Sequence, residues 1–95
     1  MTTAFLEITL NVAPENRPNA GAIYSKYKPA FLSDIAGARS KELLLRTEDV
    51  QVLHGFDSTE NAQNYLKTKL FQKDVVRELQ PFLAGAPDIR IYECM

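Results

Sequence analysis

The stretch from Asp49 to Phe71, DVQVLHGFDSTENAQNYLKTKLF, constrains the fold of this chain more than any other. It begins as a run rich in β-branched residues, turns at 55–57, and continues with apolar residues at helical spacing. This pattern predicts a strand that feeds directly into a helix, with His54, the only histidine of the chain, near the join. Asp57 and Ser58 are equally good N-cap residues for that helix, and the pattern does not choose between them.

Three further segments have the two-residue period of a β-strand. Between residues 5 and 12, Leu6, Ile8, Leu10 and Val12 alternate with polar residues, which predicts a strand with one apolar face. The run 41–46 predicts a second strand, joined to the third strand at 49–56 by a turn at 47–49. These two strands should form an antiparallel hairpin. The segment 87–93 predicts a fourth strand at the end of the chain.

Two regions have helical periodicity. The first begins at Asn19, after a predicted loop at 14–18, and its apolar residues lie three and four positions apart: Ala20, Ile23, Tyr24, Tyr27, Phe31 and Leu32. Pro29 predicts a kink or two abutting helices, because it cannot donate a hydrogen bond to the preceding turn. Gly37 is the predicted C-terminal cap of this region. In the second region, which follows the turn at 55–57, the apolar residues first lie on one face of the helix and then on another. This change of face predicts two consecutive helices with a break near 70–72.

The element order β-α-β-β-α-β predicts a single ferredoxin-like α+β domain over residues 1–95, with a four-stranded antiparallel sheet and helices on one face. The opposite face of this sheet should carry apolar side chains among polar ones: Phe5, Leu44, Leu53, Tyr92 and Cys94. A partly apolar face of this size favours burial, so we expect a homodimer in which the two open sheet faces pack together. A monomer with a mixed sheet face is the alternative.

Composition excludes several classes of function. The formal net charge of −1 argues against a nucleic-acid partner, and the chain has no apolar stretch long enough to predict a membrane span. The N-terminus lacks the pattern of a signal peptide, and a single cysteine cannot form an intrachain disulfide, so we expect a cytoplasmic protein. One histidine and one cysteine do not suggest a metal site, and no glycine-rich phosphate loop is present. We therefore expect neither a metal nor a cofactor.

The segments VLHGFDSTENAQNYLKTKLF and VVRELQPFLAGAPDIRIYE resemble the antibiotic-biosynthesis-monooxygenase-like family of the dimeric α/β-barrel superfamily. The similarity lies in a third strand that ends in Gly-Phe, a Ser-x-x-x-Ala pattern followed by Tyr65, and a proline before an Ile-x-Ile-Tyr strand. It covers the C-terminal half well and the N-terminal half only by element order. The resemblance implies a dimeric α/β barrel that holds a small-molecule ligand between sheet and helices. Family members include cofactor-free oxygenases, haem-degrading enzymes, isomerases and proteins of unassigned role.

His54 is the candidate catalytic residue. It shares strand parity with Val50, Val52 and Phe56, so its ring should point toward the helices, where the resemblance implies a pocket. A buried imidazole favours the neutral form, which suits a proton acceptor. The alternative is a core histidine whose ring bonds a tyrosine hydroxyl.

Four aromatic residues are candidates for substrate binding: Tyr24, Tyr27, Tyr65 and Phe56. Tyrosines at a pocket edge offer an apolar ring and one hydroxyl group, although aromatic stripes at helical spacing are also common in plain cores. Together these residues suggest a cofactor-free, monooxygenase-like oxidoreductase that acts on an aromatic or enolisable substrate. The alternative is a non-catalytic ligand-binding or dimeric accessory protein. A cavity of roughly 300 Å³ beside His54 would favour the enzyme, and a filled space would favour the alternative.

Overall fold

A computed structural model of the protein describes residues 2–95 as one β-sheet with helices packed against it. The regular elements are β1 (Ala4–Leu10), α1 (Arg17–Asp34), β2 (Ala38–Leu45), β3 (Val50–Phe56), α2 (Thr59–Tyr65), a π-helical segment (Leu70–Val75), α3 (Val76–Leu79) and β4 (Asp88–Glu93). Short 3-10 turns at Pro14–Asn16 and Gln80–Phe82 precede α1 and follow α3.

The sheet has the strand order β2-β3-β1-β4, and every neighbouring pair is antiparallel. β1 and β3 form its centre, and the hairpin of β2 and β3 turns where the amide of Arg46 donates to the carbonyl oxygen of Asp49 at 3.0 Å. This arrangement confirms the ferredoxin-like prediction. It also places every other residue of the central strands on the face that the helices cover.

Alternation along the central strands decides which side chains enter the core. In β1 every second residue is buried, and in β3 Val50, Val52, His54 and Phe56 are all buried. The helices contribute the other half of the core through Ala20, Ile23, Phe31, Ala62, Tyr65, Phe71, Val75 and Leu79. The predicted orientation of β1 and β3 is therefore confirmed. The prediction was possible because the two-residue period of a strand places its apolar residues on one face.

The first helix is longer than the sequence predicted. Residues 14–16 form a 3-10 turn rather than an open loop, and α1 begins at Arg17 instead of Asn19. The alternative of two abutting helices at Pro29 is wrong, since one helix runs through this residue. Pro29 and Ser25 both lie on the exposed side of α1, where water can bond the carbonyl group that proline leaves without a donor.

The connection from α1 to β2 also differs from the prediction. The helix ends at Asp34, and β2 begins at Ala38, three residues earlier than expected. Gly37 therefore lies in the turn rather than at the helix cap, with a φ of 78°. A Cβ atom at Gly37 would collide with the side chains of Asp57 and Asn61, so both the backbone conformation and the space require glycine.

The second helical region is divided, as predicted, but at a different place. α2 ends at Tyr65 and is followed by a turn. The break therefore lies a few residues before 70–72, and the predicted position is wrong by that amount. Thr68 causes the break, because its hydroxyl donates to the carbonyl of Tyr65 at 2.7 Å and accepts from the amide of Phe71 at 3.2 Å. At the start of α2, Ser58 is the N-cap and accepts from the amide of Asn61 at 3.1 Å.

Candidate functional site

A small cavity lies between the helix-covered face of the sheet and the helices. Its volume is about 40 Å³, enough for a few water molecules and well short of roughly 300 Å³ for a pocket that encloses a drug-sized ligand. Its walls come from six elements, which are the strands β1, β2 and β3, the helices α1 and α3, and the π-helical segment. Most of the lining residues are apolar, including Ile8, Ile23, Val52, Phe71, Val76 and Leu79. The polar groups on its walls belong to Tyr24, Lys41 and His54.

His54 points toward the helices, as parity predicted, and its side chain is 2% exposed. Its Nδ1 lies 3.0 Å from the carbonyl oxygen of Leu6 on the neighbouring strand. Because a carbonyl oxygen only accepts, Nδ1 carries the proton and Nε2 keeps the lone pair of a neutral imidazole. The hydrogen-bond partner of Nδ1 is thus a backbone carbonyl, and not the tyrosine hydroxyl that the alternative of a core histidine predicted.

Burial lowers the pKa of His54 to about 3, with a further contribution from the nearby charge of Lys41. Removal from water disfavours the imidazolium form, and a neighbouring cation disfavours it again. His54 is therefore neutral over the physiological pH range. Its proton affinity is low until a negative charge is placed beside it.

Lys41 is the residue that sequence reasoning missed. It lies on β2 directly opposite His54, is 3% exposed, and lines the same cavity. Burial, together with the charge of Lys28, lowers the pKa of Lys41 to about 8. A signal was present in the sequence, since Lys41 shares strand parity with Leu43, which also lines the cavity, and so occupies an inward position of an alternating strand.

Tyr24 holds Lys41 in place. The Tyr24 hydroxyl donates to the main-chain carbonyl of Lys41 at 2.6 Å, which ties α1 to the edge strand β2. The ammonium nitrogen of Lys41 lies 5.8 Å from the centre of the Tyr24 ring and 5.2 Å from that of Phe31. These are cation–π distances, so the two rings partly replace the water that the ammonium group has lost.

The structure brings two of the five predicted site residues to the cavity, His54 and Tyr24. Tyr65 and Phe56 lie deeper in an aromatic cluster with Phe31, where the Tyr65 ring is 5.0 Å from Phe31 and 5.9 Å from Phe56. Tyr27 is half-buried against the core, outside the set of residues that line the cavity. Burial raises the pKa of Tyr65, whose hydroxyl has no hydrogen-bond partner among residues 2–95.

One wall of the cavity has unusual helical geometry. Phe71 belongs to the π-helical segment, and Val76 and Leu79 follow it in α3. π-helical turns are rare and often mark functional positions. The cavity thus combines mainly apolar walls with one neutral imidazole and one buried lysine on its sheet side.

No helix within residues 2–95 is long and apolar enough to cross a membrane. Across the same residues, no three His, Cys, Asp or Glu side chains come together as ligands for a metal ion.

Comparison with known proteins gives matches in structure but not in sequence. No family model matches the chain, and no curated protein sequence matches it. Two solved structures named "putative antibiotic biosynthesis monooxygenase" superpose closely. The protein from Caulobacter crescentus has a TM-score of 0.83 and 18% identity over 99% of this chain and 91% of its own. The protein from Bordetella bronchiseptica has a TM-score of 0.82 and 14% identity over 98% of each chain.

A third match carries no activity in its name. The NE2512 protein of unknown function from Nitrosomonas europaea has a TM-score of 0.81 and 17% identity, over 100% of this chain and 91% of its own. At such identities a structural match establishes the fold, and function has to be argued from the site. The resemblance read from the sequence is therefore confirmed at the level of fold: this chain has the fold of the antibiotic biosynthesis monooxygenase-like proteins.

Proposed function

We propose that this protein is an oxidoreductase of the cofactor-free monooxygenase type that acts on a small enolisable aromatic molecule between the sheet and the helices. The observation that carries the proposal is the pair Lys41 and His54, both nearly fully buried on one wall of an apolar cavity. Burial of two titratable groups disfavours folding, so their position calls for a role other than packing.

The chemistry needs a base, an apolar site and molecular oxygen. The substrate loses a proton from an activated CH₂ group to His54, and the resulting enolate supplies the electrons that reduce oxygen. One oxygen atom becomes the new ketone and the other leaves as water, so that R₂CH₂ + O₂ gives R₂C=O + H₂O without an external reductant. The enolate also raises the proton affinity of His54, since an adjacent anion favours the imidazolium form.

The size of the cavity favours a second candidate, a non-catalytic protein that binds a ligand or acts as an accessory subunit. About 40 Å³ does not admit an aromatic ring, so a substrate has to displace side chains of the helical wall, among them Phe71 and Leu79. A filled core in which His54 bonds only the Leu6 carbonyl would need no such movement. A measurement of substrate turnover distinguishes the enzyme from the non-catalytic protein.

The test is oxygen uptake by the purified protein with a panel of anthrones, quinols and other enolisable aromatics. We expect uptake with at least one compound, and His54→Gln should abolish it, because glutamine cannot accept the substrate proton. Leu32→Ala, at an exposed position of α1, is the matched control and should leave the rate unchanged. Binding without oxygen uptake for every compound would instead support the non-catalytic candidate.

We further propose that the protein is a homodimer that packs the open faces of two sheets together. Phe5 and Leu53 are half-buried at the centre of this face, while Leu44 and Tyr92 are 41% and 46% exposed toward its edges. Burial of this apolar surface against a second copy favours association. In the sheet register Leu53 lies between Glu42 and Glu7, so an acidic residue at this position would face like charges.

Sedimentation at micromolar concentration should give twice the 10.7 kDa mass of the chain. Leu53→Glu should shift the protein to the monomer, because it places a carboxylate at the centre of the buried face beside two others. Leu32→Glu adds the same charge on the outer side of α1 and should remain dimeric. A wild-type protein that sediments only as a monomer would exclude this mode of assembly.

A further inference from the structure

Lys41 presents an ammonium group to the cavity without a counter-ion. The ion pairs within residues 2–95 join Lys26 to Glu78, Arg39 to Asp57, Arg46 to Glu48 and Asp49, and Arg90 to Asp88. Lys41 takes part in none of them. Lys41 is only 3% exposed, and its ammonium nitrogen lies within cation–π distance of two aromatic rings, those of Tyr24 and Phe31.

The elements around Lys41 bring no negative charge to it. β3 contributes the neutral His54, and α1 contributes Tyr24 and the cation Lys28, whose nitrogen lies 5.5 Å from the Tyr24 ring. β1, the π-helical segment and α3 contribute only apolar side chains to the cavity. Glu42 follows Lys41 in β2, but alternation directs it to the opposite face of the sheet.

We propose that the ligand of this cavity carries a negative charge, as an aromatic carboxylate or as a phenol bound in its phenolate form, and that Lys41 is its counter-ion. An ammonium group in an apolar cavity is unfavourable by itself, and an anion beside it restores much of the lost solvation. The apolar walls select an aromatic body, and the cation selects the acidic group. The inference deepens the proposed function, because it names the substrate class of the same cavity.

Benzoate and benzamide are suitable probes, because they share one shape and differ in charge. Isothermal titration calorimetry near pH 7 should show benzoate binding roughly 10- to 150-fold more tightly than benzamide, which is the range expected for a charge-assisted hydrogen bond. Lys41→Met keeps the length of the side chain and removes the charge, so it should abolish that preference. Lys41→Arg keeps the charge and should retain part of it.

4-Nitrophenol gives an independent spectroscopic readout, since only its phenolate is yellow. Below neutral pH the wild-type protein should turn added 4-nitrophenol yellow, because Lys41 stabilises the bound phenolate. Lys41→Met should leave it colourless. Above about pH 8, where free Lys41 loses its proton, the affinity of the wild type for benzoate should fall, and that of Lys41→Met should not change.

Lys28→Met is the matched control, because it removes a cation from the cavity's outer side and should keep most of the preference for benzoate. Equal binding of benzoate and benzamide by the wild type, or unchanged benzoate affinity in a folded Lys41→Met variant, would overturn the inference. So would a failure of both anionic probes to bind. Charge-selective binding without oxygen uptake would uphold this inference while removing the proposed oxidation.

Discussion

Acidification from pH 7 to about pH 4.5 should destabilise the folded protein by roughly 2–3 kcal/mol through His54 alone. The pKa of this histidine is about 3 in the folded protein and close to its ordinary value of 6.5 in the unfolded chain. Between these two values the unfolded state binds a proton and the folded state does not. Stability therefore decreases as the pH falls below about 6.5 and continues to decrease toward pH 3.

Urea unfolding at a series of pH values measures this effect. Asp49 and Asp57 contribute little over this interval, because the unfolded chain binds their protons mainly near and below the ordinary pKa of 3.8. Hydrogen bonds from Arg46 and Asn61 hold the pKa values of the two carboxylates lower still in the folded protein, so their effect on stability appears at more acid pH. His54→Gln removes the only titrating histidine, so its stability should vary much less over the same interval, whatever its absolute value. Equal stability of the wild-type protein at about pH 7 and at about pH 4.5 would show that the folded protein does not lower the pKa of His54.

Phe31→Ala should cost about 3–5 kcal/mol of unfolding free energy. Phe31 is fully buried, and its ring makes edge-on contacts with three others, at centroid distances of 5.2 Å to His54, 5.5 Å to Phe56 and 5.0 Å to Tyr65. It also covers the ammonium group of Lys41. Removal of the ring takes away these contacts and leaves a cavity in the core. The expected total stability of a domain of this size is only about 5–14 kcal/mol.

Leu32→Ala is the control, since this neighbouring residue of α1 is 41% exposed and should lose less than about 1 kcal/mol. Both variants are compared with the wild type by urea unfolding at one fixed protein concentration, because association would make the apparent stability depend on concentration. Similar losses for the two variants would mean that Phe31 is not at the centre of the core.

Local patterns were sufficient for the order of the elements and for the direction of most side chains. Alternation in β1 and β3 identified the buried face, and it oriented His54 correctly because successive strand residues point to opposite faces. The ends of elements were less predictable. The break between the two helices lies near Thr68 and not at 70–72. The hydroxyl of Thr68 hydrogen-bonds the backbone on both sides of the break, and the apolar pattern of the sequence does not reveal these bonds.

The sequence indicated only part of the candidate site. The inward position of Lys41 follows from the period of β2, but its neighbours do not, because Tyr24 and Phe31 reach it from a helix that could have crossed the sheet at another angle. The same holds for the Leu6 carbonyl that bonds His54 and for the small volume left beside them. The sequence by itself thus determined the fold and the facing of each strand, which depend on periods of two and of three to four residues. Only the tertiary structure decided which charged and aromatic groups meet, because that depends on how distant segments pack.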